Sequence, residues 1–430
     1  MFISRFPPSF QTCWTGSRYN PLQGRTPGSF QRLSAICGRG ATFIGGGERM
    51  KRLPWNIKKY KAKFVALSPI HIGTGEVLPA CRYVLPPKGK DQGWCLKESF
   101  TARLLAEGRV SIKDYMEQPF FYDSHILKGH LDKTNLLYPV SFTKAAREKL
   151  KKEVRPFIRD GFGRPYLPGS SIKGMLRTAL VFSLLMNDGQ EKKNLLNELN
   201  RLRPGRIIEK MNNVNKKNIK EIRSKNNDRV SLVEGLFRSL EKPDPKNDIL
   251  RAVKVSDSDP IETPLVVAAV NIFTSKDGEF KPLSSGTPPI FCEVVEPGTA
   301  VYFDIAVDED LLKELREDTK VQIRNHYDFL TALQDHARVM VHIEKNFLER
   351  NGVNGIWYKE YEQAENADSA IVRLGWGSGW TGSSLFPILV CDNPEEETPK
   401  RPLSRKIVIS SKGEPRAMLG WGKLYIEEIS

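Results

Sequence analysis

A chain of 430 residues, 40% hydrophobic and 27% charged, is long enough to bury two cores or one elaborated one. It holds no run near the roughly 18 apolar residues that a membrane-spanning helix needs, and its most apolar stretch, Leu180 to Met186, is far shorter. The net charge of +15 draws polyanions to the surface and favours nucleic acid as a partner; with no basic helix carrying an aromatic face, an anionic membrane ranks lower.

Residues 1–49 hold six Arg, no Lys and one acid, Glu48. Such a leader reads as an organelle transit peptide, as a basic arm, or as translated upstream DNA preceding a natural start at Met50. The third reading is favoured, because the composition turns Lys-rich and patterned from Met50 onward and Gly45-Gly46-Gly47-Glu48-Arg49 can be encoded by purine-rich codons resembling a bacterial ribosome-binding site. Removing this segment subtracts 6 − 1 = +5 and leaves +10 on residues 50–430, so the basic character does not depend on it.

The first patterned element is a half-buried strand over Lys59 to Leu67. Tyr60, Ala62, Phe64 and Ala66 alternate with Lys59, Lys61 and Lys63. It runs into a loop, Ser68 to Gly75, punctuated by Gly73 and Gly75, and a second strand is expected around Arg82 to Leu85. Pro168-Gly169-Ser170-Ser171 then opens a helix whose apolar face is Ile172, Met175, Leu176 and Ala179, with Ser170 or Ser171 as N-cap. Lys173 and Arg177, four residues apart, share a face near the positive end of that helix and form a candidate phosphate seat. Residues 191–230 carry 12 Lys/Arg against 5 Asp/Glu. This is a basic, partly helical insertion, equally readable as a solvated excursion or as direct RNA contact.

Further on, Glu296-Pro297-Gly298-Thr299 introduces a strand over Val301 to Val307, and residues 321–350 have helical spacing that ends at Asn351-Gly352. Two Gly/Trp segments follow, Leu374 to Trp380 and Leu419 to Lys423, the second leading into a last strand, Leu424 to Glu427. Strands and helices alternate without the rhythm of a doubly wound sheet, so the fold class is α+β.

Glycines allow close backbone approach and Trp rings stack on bases. Gly375, Gly377, Gly379 and Trp380 therefore suit an RNA loop, although tight turns around a core Trp would read the same. The loop at Gly73 and Gly75 lacks the Gly-Lys-Ser/Thr ending of a nucleotide-phosphate motif. His71, at a strand end beside glycines, is the histidine suited to RNA contact, and as a general base it has no identifiable partner. His326, His336 and His342 are spaced ten and six apart and do not align for a metal. Ser256-Asp257-Ser258-Asp259 reads as a loop making Asx-type hydrogen bonds rather than a Mg²⁺ or Ca²⁺ site. Six cysteines, at 13, 37, 81, 95, 292 and 391, make no close pair, which points to free thiols in a reducing cytoplasm. No metal and no cofactor is expected.

Leu67-Ser68-Pro69-Ile70-His71-Ile72-Gly73-Thr74-Gly75 resembles the opening strand and loop of the RAMP proteins of CRISPR systems. Leu167-Pro168-Gly169-Ser170-Ser171-Ile172-Lys173-Gly174, followed by Leu176-Arg177-Thr178-Ala179, is similar to their signature helix start. Leu250 to Ser258, Glu296 to Thr299, the loop at 374–380 and the Leu-Gly-Trp-x-Lys ending at 419–423 recur in the order of one family within them. That family is the fifth Csm subunits of type III-A CRISPR effector complexes. The resemblance spans residues 56–427. Met418 stands where the family usually has Pro, and residues 191–230 and 1–49 have no counterpart.

The resemblance implies tandem ferredoxin-like (RRM-like) RAMP domains, over 50–265 with a basic helical insertion at about 188–245, and over 266–430. It implies a non-catalytic subunit that binds guide RNA, caps the complex near the guide's 3′ end and assists guide maturation in antiviral defence. Its implied partners are guide RNA and other Csm-type subunits, above all the repeated backbone RAMP and the small helical subunits, together with host ribonucleases. RNA contact is expected at His71, Gly73, Gly75, Ser170, Ser171, Lys173, Arg177, Gly375, Gly377, Gly379, Trp380 and Lys423. The competing readings are a metal-independent guide-processing endoribonuclease using His71, the target-cleaving backbone subunit of the same complex, and a basic scaffold outside CRISPR.

Overall fold

The computed structural model describes residues 56–86, 90–113, 134–194, 236–238, 244–276, 279–283, 286, 288–317, 319–356, 361, 368–385, 387–388 and 404–429. The leader at 1–49 and most of the basic insertion at 191–230 lie outside these residues. The described residues from Ile57 onward form one compact unit.

Its frame is a five-stranded antiparallel sheet of described residues. The strands are β1 (Ile57–Ala66), β7 (Val253–Val255), β11 (Ala300–Asp308), β12 (Ser369–Arg373) and β15 (Trp421–Glu428), in the order β12-β15-β1-β11-β7. The predicted alternation of β1 is observed: Tyr60, Ala62, Phe64 and Ala66 are buried, and the lysines face outward. Helices α3 (Gly169–Asn187) and α5 (His326–Arg350) cover the inner face. Ile172, Leu176 and Ala179 from α3 join Phe329, Leu330 and Leu333 from α5 in one core with β1. Each large side chain so buried contributes about 1.5–3 kcal/mol. The predicted end of α5 holds, with Asn351 as C-cap and Gly352 at φ 67°. Its start is fixed by a capping box of Asn325 and Asp328.

A second sheet is built on β8 (Leu265–Lys276). Its path is β2 (Leu78–Pro79), β6 (Glu153–Arg155), β10 (Ile290–Val294), β8, β5 (Leu136–Phe142), β4 (Gln92–Leu96) and β3 (Tyr83–Val84). The far half of β8 pairs with β13 (Ser404–Ile409), which carries β14 (Pro415–Met418), and with β9 (Glu279–Pro282). Leu265 to Val270 are all buried, the mark of a strand covered on both faces. The remaining helices are α1 (Glu98–Ala106), α2 (Lys144–Lys149), α4 (Glu309–Arg316) and α6 (Gly379–Ser383). Strands from both sides of residue 265 share each sheet: β1 lies between β11 and β15, and β5 pairs with β8.

The helix start at 168–171 differs from expectation. Pro168, not Ser170 or Ser171, is the N-cap, and no side chain of its own caps the helix. The cap arrives from elsewhere: the Gly169 amide donates to Asp257 Oδ1 at 2.8 Å, and the Leu167 amide donates to Ser258 Oγ at 2.9 Å. A Cβ at Gly169 would lie 2.4 Å from the Val255 carbonyl, so the segment 255–258 lies directly on the helix end. The Ser-Asp-Ser-Asp run thus clamps α3 to β11 as well, since the Asp304 amide donates to Ser256 Oγ at 2.9 Å.

His336, buried on α5, donates from Nε2 to the Thr381 carbonyl at 2.9 Å. Burial pushes its pKa down from 6.5 to about 4. The ring is neutral when folded and easily charged when unfolded, so its contribution is complete above pH 6.5 and is lost as pH falls towards 4. Wild type is expected to lose up to about 3 kcal/mol through this group, and His336→Gln to lack that limb. Urea unfolding of both proteins across the range checks it.

Candidate nucleic-acid interface

Three loops meet where β1 and β12 end and β15 begins. The Trp421 amide donates to Ser68 Oγ at 2.8 Å, the Gly420 amide to the Pro69 carbonyl at 2.9 Å, and the Leu374 amide to the Gly420 carbonyl at 2.8 Å. The Trp376 amide then donates to the His71 carbonyl at 2.8 Å, tying the first Gly/Trp loop to the glycine loop after β1. Glycine is obligatory at this crossing. Gly375 has φ 72°, and a Cβ there would stand 2.3 Å from the His71 carbonyl oxygen. Gly377 meets the backbone of Leu419 just as closely, at 2.3 Å.

The crossing encloses a cleft of about 490 Å³ whose walls include His71, Gly73, Gly75, Arg155, Gly375 and Trp376. Two cations attend the Trp376 ring, the Arg155 guanidinium at 4.8 Å and the Lys406 ammonium at 5.0 Å. Lys406 also donates to the Trp376 carbonyl at 2.9 Å. Burial, followed by the nearby Arg373 and Arg155 charges, lowers its pKa. An aromatic wall beside concentrated positive charge and close-approach glycines is the arrangement that holds single-stranded nucleic acid by stacking and phosphate attraction.

His71 is buried, and its Nδ1 lies 2.7 Å from the Glu293 carbonyl. A carbonyl only accepts, so Nδ1 carries the proton and Nε2 is the acceptor. Burial lowers the pKa of this ring, and the backbone hydrogen bond opposes that only partly. Nε2 sits on the Gly73 side, 2.8 Å from where a Cβ of Gly73 would be.

Two buried carboxylates brace the cleft. Glu293, fully buried, accepts from Tyr83 Oη at 3.0 Å, Tyr138 Oη at 2.8 Å, the Phe157 amide at 2.9 Å and Arg159 Nη2 at 3.0 Å. It thereby holds the chain that follows Arg155. Glu344 accepts from Arg373 Nη1 at 3.0 Å, Thr381 Oγ1 at 2.8 Å and Arg405 Nε at 2.5 Å. Burial alone would raise the Glu344 pKa, but the Arg405 and Arg373 charges outweigh it and hold the carboxyl below its usual range. Arg373 donates from Nη2 to the Gly377 and Leu419 carbonyls, so this carboxylate anchors the loop that presents Trp376.

The expected site residues divide into groups. His71, Gly73, Gly75 and Gly375 come together in the cleft, and Gly377 packs behind it. Gly379 opens α6 at φ 58°, and the Trp380 ring stands 5.8 Å from the Arg405 guanidinium, outside the cleft walls. Trp421, from the second Gly/Trp segment, is a core residue stacked 4.7 Å from Tyr361. Lys423 lies on the outer face of the five-stranded sheet, 5.3 Å from the Tyr425 ring. Ser170, Ser171, Lys173 and Arg177 are not among the cleft walls. Lys173 donates to the Val253 carbonyl at 2.7 Å, and Arg177 pairs with Asp248 at 2.9 Å while lying 3.9 Å over the Phe237 ring. The helix end that would have seated a phosphate already holds Asp257. Sequence reasoning missed Arg155 and Lys406, and it chose Trp380 over Trp376. The Trp376 signal was present in the loop at 374–380, whereas Arg155 on a three-residue strand and Lys406 beside Arg405 on β13 belong to no motif.

Among the described residues, no three or more His, Cys, Asp or Glu side chains converge where a metal could sit, and no helix is long and apolar enough to cross a membrane. Cys81, Cys95 and Cys292 are buried and are not joined in disulfides.

The chain is similar in fold to a chain of the cryo-EM structure of a Csm–crRNA–target RNA ternary complex of a type III-A CRISPR-Cas system. The TM-score is 0.59 at 22% identity, over 86% of this chain and 100% of that one. The crystal structure of T. onnurineus Csm5 is similar at a TM-score of 0.56 and 21% identity, over 84% of this chain and 99% of that one. By sequence the chain is 25% identical over 333 residues to the CRISPR system Cms protein Csm5 of Streptococcus thermophilus, covering 72% of this chain and 82% of that protein. It is 26% identical over 282 residues to the Csm5 of Mycobacterium tuberculosis (strain CDC 1551 / Oshkosh), covering 63% of this chain and 64% of that protein. The resemblance read from the ordered motifs is therefore met by relatives of that name. With the family model matched over residues 63–381, the chain belongs to the RAMP superfamily.

Proposed function

We propose that this chain is a guide-RNA-binding, non-catalytic subunit of a type III-A CRISPR effector complex, capping it near the guide's 3′ end. The observation that carries the reading is the cleft in which Trp376, attended by Arg155 and Lys406, stands beside the turns at Gly73, Gly75 and Gly375. Relatives named Csm5 and a structural neighbour in a Csm–crRNA–target RNA complex supply the class of RNA and of partner. Contacts of this kind grip the sugar–phosphate backbone and stack on bases without reading sequence. The protein partners are other Csm-type subunits. The two sheets are the two ferredoxin-like units of the family, each using strands from both sides of residue 265. Lys173 and Arg177 fall outside this interface, because partners within the chain already take them.

One observation favours the enzymatic rival: His71 Nε2 faces a cleft that Glu76 and Arg155 also line. One preparation separates the readings. The purified chain is expected to retain labelled single-stranded guide RNA on a filter, with affinity falling steeply in salt, and to leave it uncut. Pull-down of the native protein is expected to bring other Csm-type subunits and short repeat-tagged RNAs. RNA cleavage by wild type that disappears in His71→Ala would replace this reading with the nuclease, and a lone protein without RNA would end it.

A further inference from the structure

The outer face of the five-stranded sheet carries a feature that the cleft does not explain. Tyr302 on β11, Lys63 on β1 and Tyr425 on β15 are direct cross-strand neighbours and form one row over three adjacent strands. Tyr302 is 41% exposed and Tyr425 is half-buried. The Lys63 ammonium stands 5.9 Å from one ring and 5.8 Å from the other, and Lys423 adds a second ammonium 5.3 Å from the Tyr425 ring. With neighbouring side chains about 5 Å apart across strands, the rings are about 10 Å apart with a cation between them. Tyrosine is common in strands for packing reasons alone, but packing buries a ring, and this pair flanks a charge on an open face.

The geometry points to a second RNA-binding surface, a platform on which Tyr302 and Tyr425 each stack one base of single-stranded RNA while Lys63 and Lys423 attract the phosphates. Every base has a π-face and every linkage a negative charge, so two rings with a cation between them suit any sequence. The charge of the face agrees: Lys59, Lys61, Lys63, Lys423 and Lys254 point outward against Asp304, Asp308 and Glu427, and Asp308 is taken up in capping α4. One of those acids, Asp304, is already engaged by Lys61 at 3.0 Å. An acidic protein surface could answer the lysines, but it gives no reason for two rings in one row. The platform also has a boundary and a connection. Ile371 and Trp421, on the same face at its β12 end, are roofed by the second core. β1 runs from Lys63 into the loop that bears His71 and Gly73.

The inference rests on the chain binding single-stranded RNA, and its test separates the two surfaces. Full-length wild type, Tyr302→Ala/Tyr425→Ala, Tyr302→Phe/Tyr425→Phe and Lys63→Gln are titrated with labelled oligouridylate, with ultraviolet crosslinking mapped by mass spectrometry. The double alanine variant is expected to bind roughly 25-fold more weakly, about fivefold per ring. It should melt as a folded protein and lose crosslinks to 300–308 and 421–428 while keeping those to the cleft. The double phenylalanine variant, which keeps both rings, is expected to bind like wild type. Lys63→Gln is expected to lower the salt slope by about 0.7, the share of one single-strand phosphate. If the alanine pair binds as wild type does while Trp376→Ala, titrated beside it, is weakened, the platform is wrong and the cleft stands. If the pair loses only self-association in sedimentation, the face belongs to a protein and not to RNA. If wild type binds no RNA, both readings fall together.

Discussion

Trp376→Ala is expected to weaken single-stranded RNA binding about 5- to 100-fold, the loss seen when one base loses its aromatic partner. The ring is the flat wall of the cleft, and two cations organise around it, Arg155 at 4.8 Å and Lys406 at 5.0 Å. Removing it takes away a stacking surface and lets both charges move from the position where they meet a phosphate. The fold should survive, because what ties the loop down is the Trp376 amide bond to the His71 carbonyl, which alanine keeps. Trp376→Phe should keep most of the affinity. Arg155→Gln with Lys406→Gln should instead flatten the salt dependence, by about 0.7 in slope for each phosphate no longer neutralised. Filter binding at several salt concentrations reads both effects. An alanine variant that binds like wild type would remove the cleft from the interface.

Glu344→Ala is expected to cost about 3–5 kcal/mol of folding stability, because it leaves buried cations without their counter-charge. Glu344, Arg373 and Arg405 are all buried, and the carboxylate takes one bond from each guanidinium. Coulomb attraction in a low-dielectric interior roughly offsets the desolvation of the set while it is intact. With the carboxylate gone, only the desolvation cost remains. The pH dependence has a definite sign. The Glu344 carboxyl is held below its usual range when folded, so its contribution is present above the unfolded pKa and is lost as pH falls through the folded one. The variant should lack that acid limb. It should also bind RNA more weakly even where still folded, since Arg373 anchors the carbonyls of Gly377 and Leu419 that shape the Trp376 loop. Urea unfolding across pH, with RNA titration at low temperature, tests both consequences. A loss below about 1 kcal/mol, the range of an exposed ion pair, would mean the cluster is solvated.

Elements with one wet face were legible in the chain itself. β1 alternates because lysines face water and Tyr60, Ala62, Phe64 and Ala66 face two helices. β11 alternates for the same reason, and α5 shows helical spacing because one of its faces lies in the core. β8 was invisible to that reading. Its first half, Leu265 to Val270, is buried on both faces, and a strand without a wet side has no alternation to detect. The Gly/Trp loops announced themselves by composition, and composition could not say which Trp lies in the core and which lines a cleft. Trp421 stacks on Tyr361 in the interior, and Trp376 faces the cavity.

Composition by itself determined the basic character, local pattern determined the wet-faced elements because alternation depends on neighbours a few residues apart, and the motifs at 67–75, 167–179 and 419–423 carried the resemblance to the RAMP superfamily. Tertiary structure decided which cations gather at the cleft, because that depends on partners far away in the chain. Lys173 and Arg177 looked available at a helix end until Val253, Asp248 and Asp257 arrived from about 70–90 residues downstream to occupy the two side chains and the Gly169 amide. Arg155 and Lys406, 251 positions apart by number, carry no mark of function until β6 and β13 bring them to the same ring. A charge finds its partners only once the chain has closed on itself, and that closure sets Lys173 against a carbonyl at a helix end and Lys406 against the carbonyl and ring of Trp376.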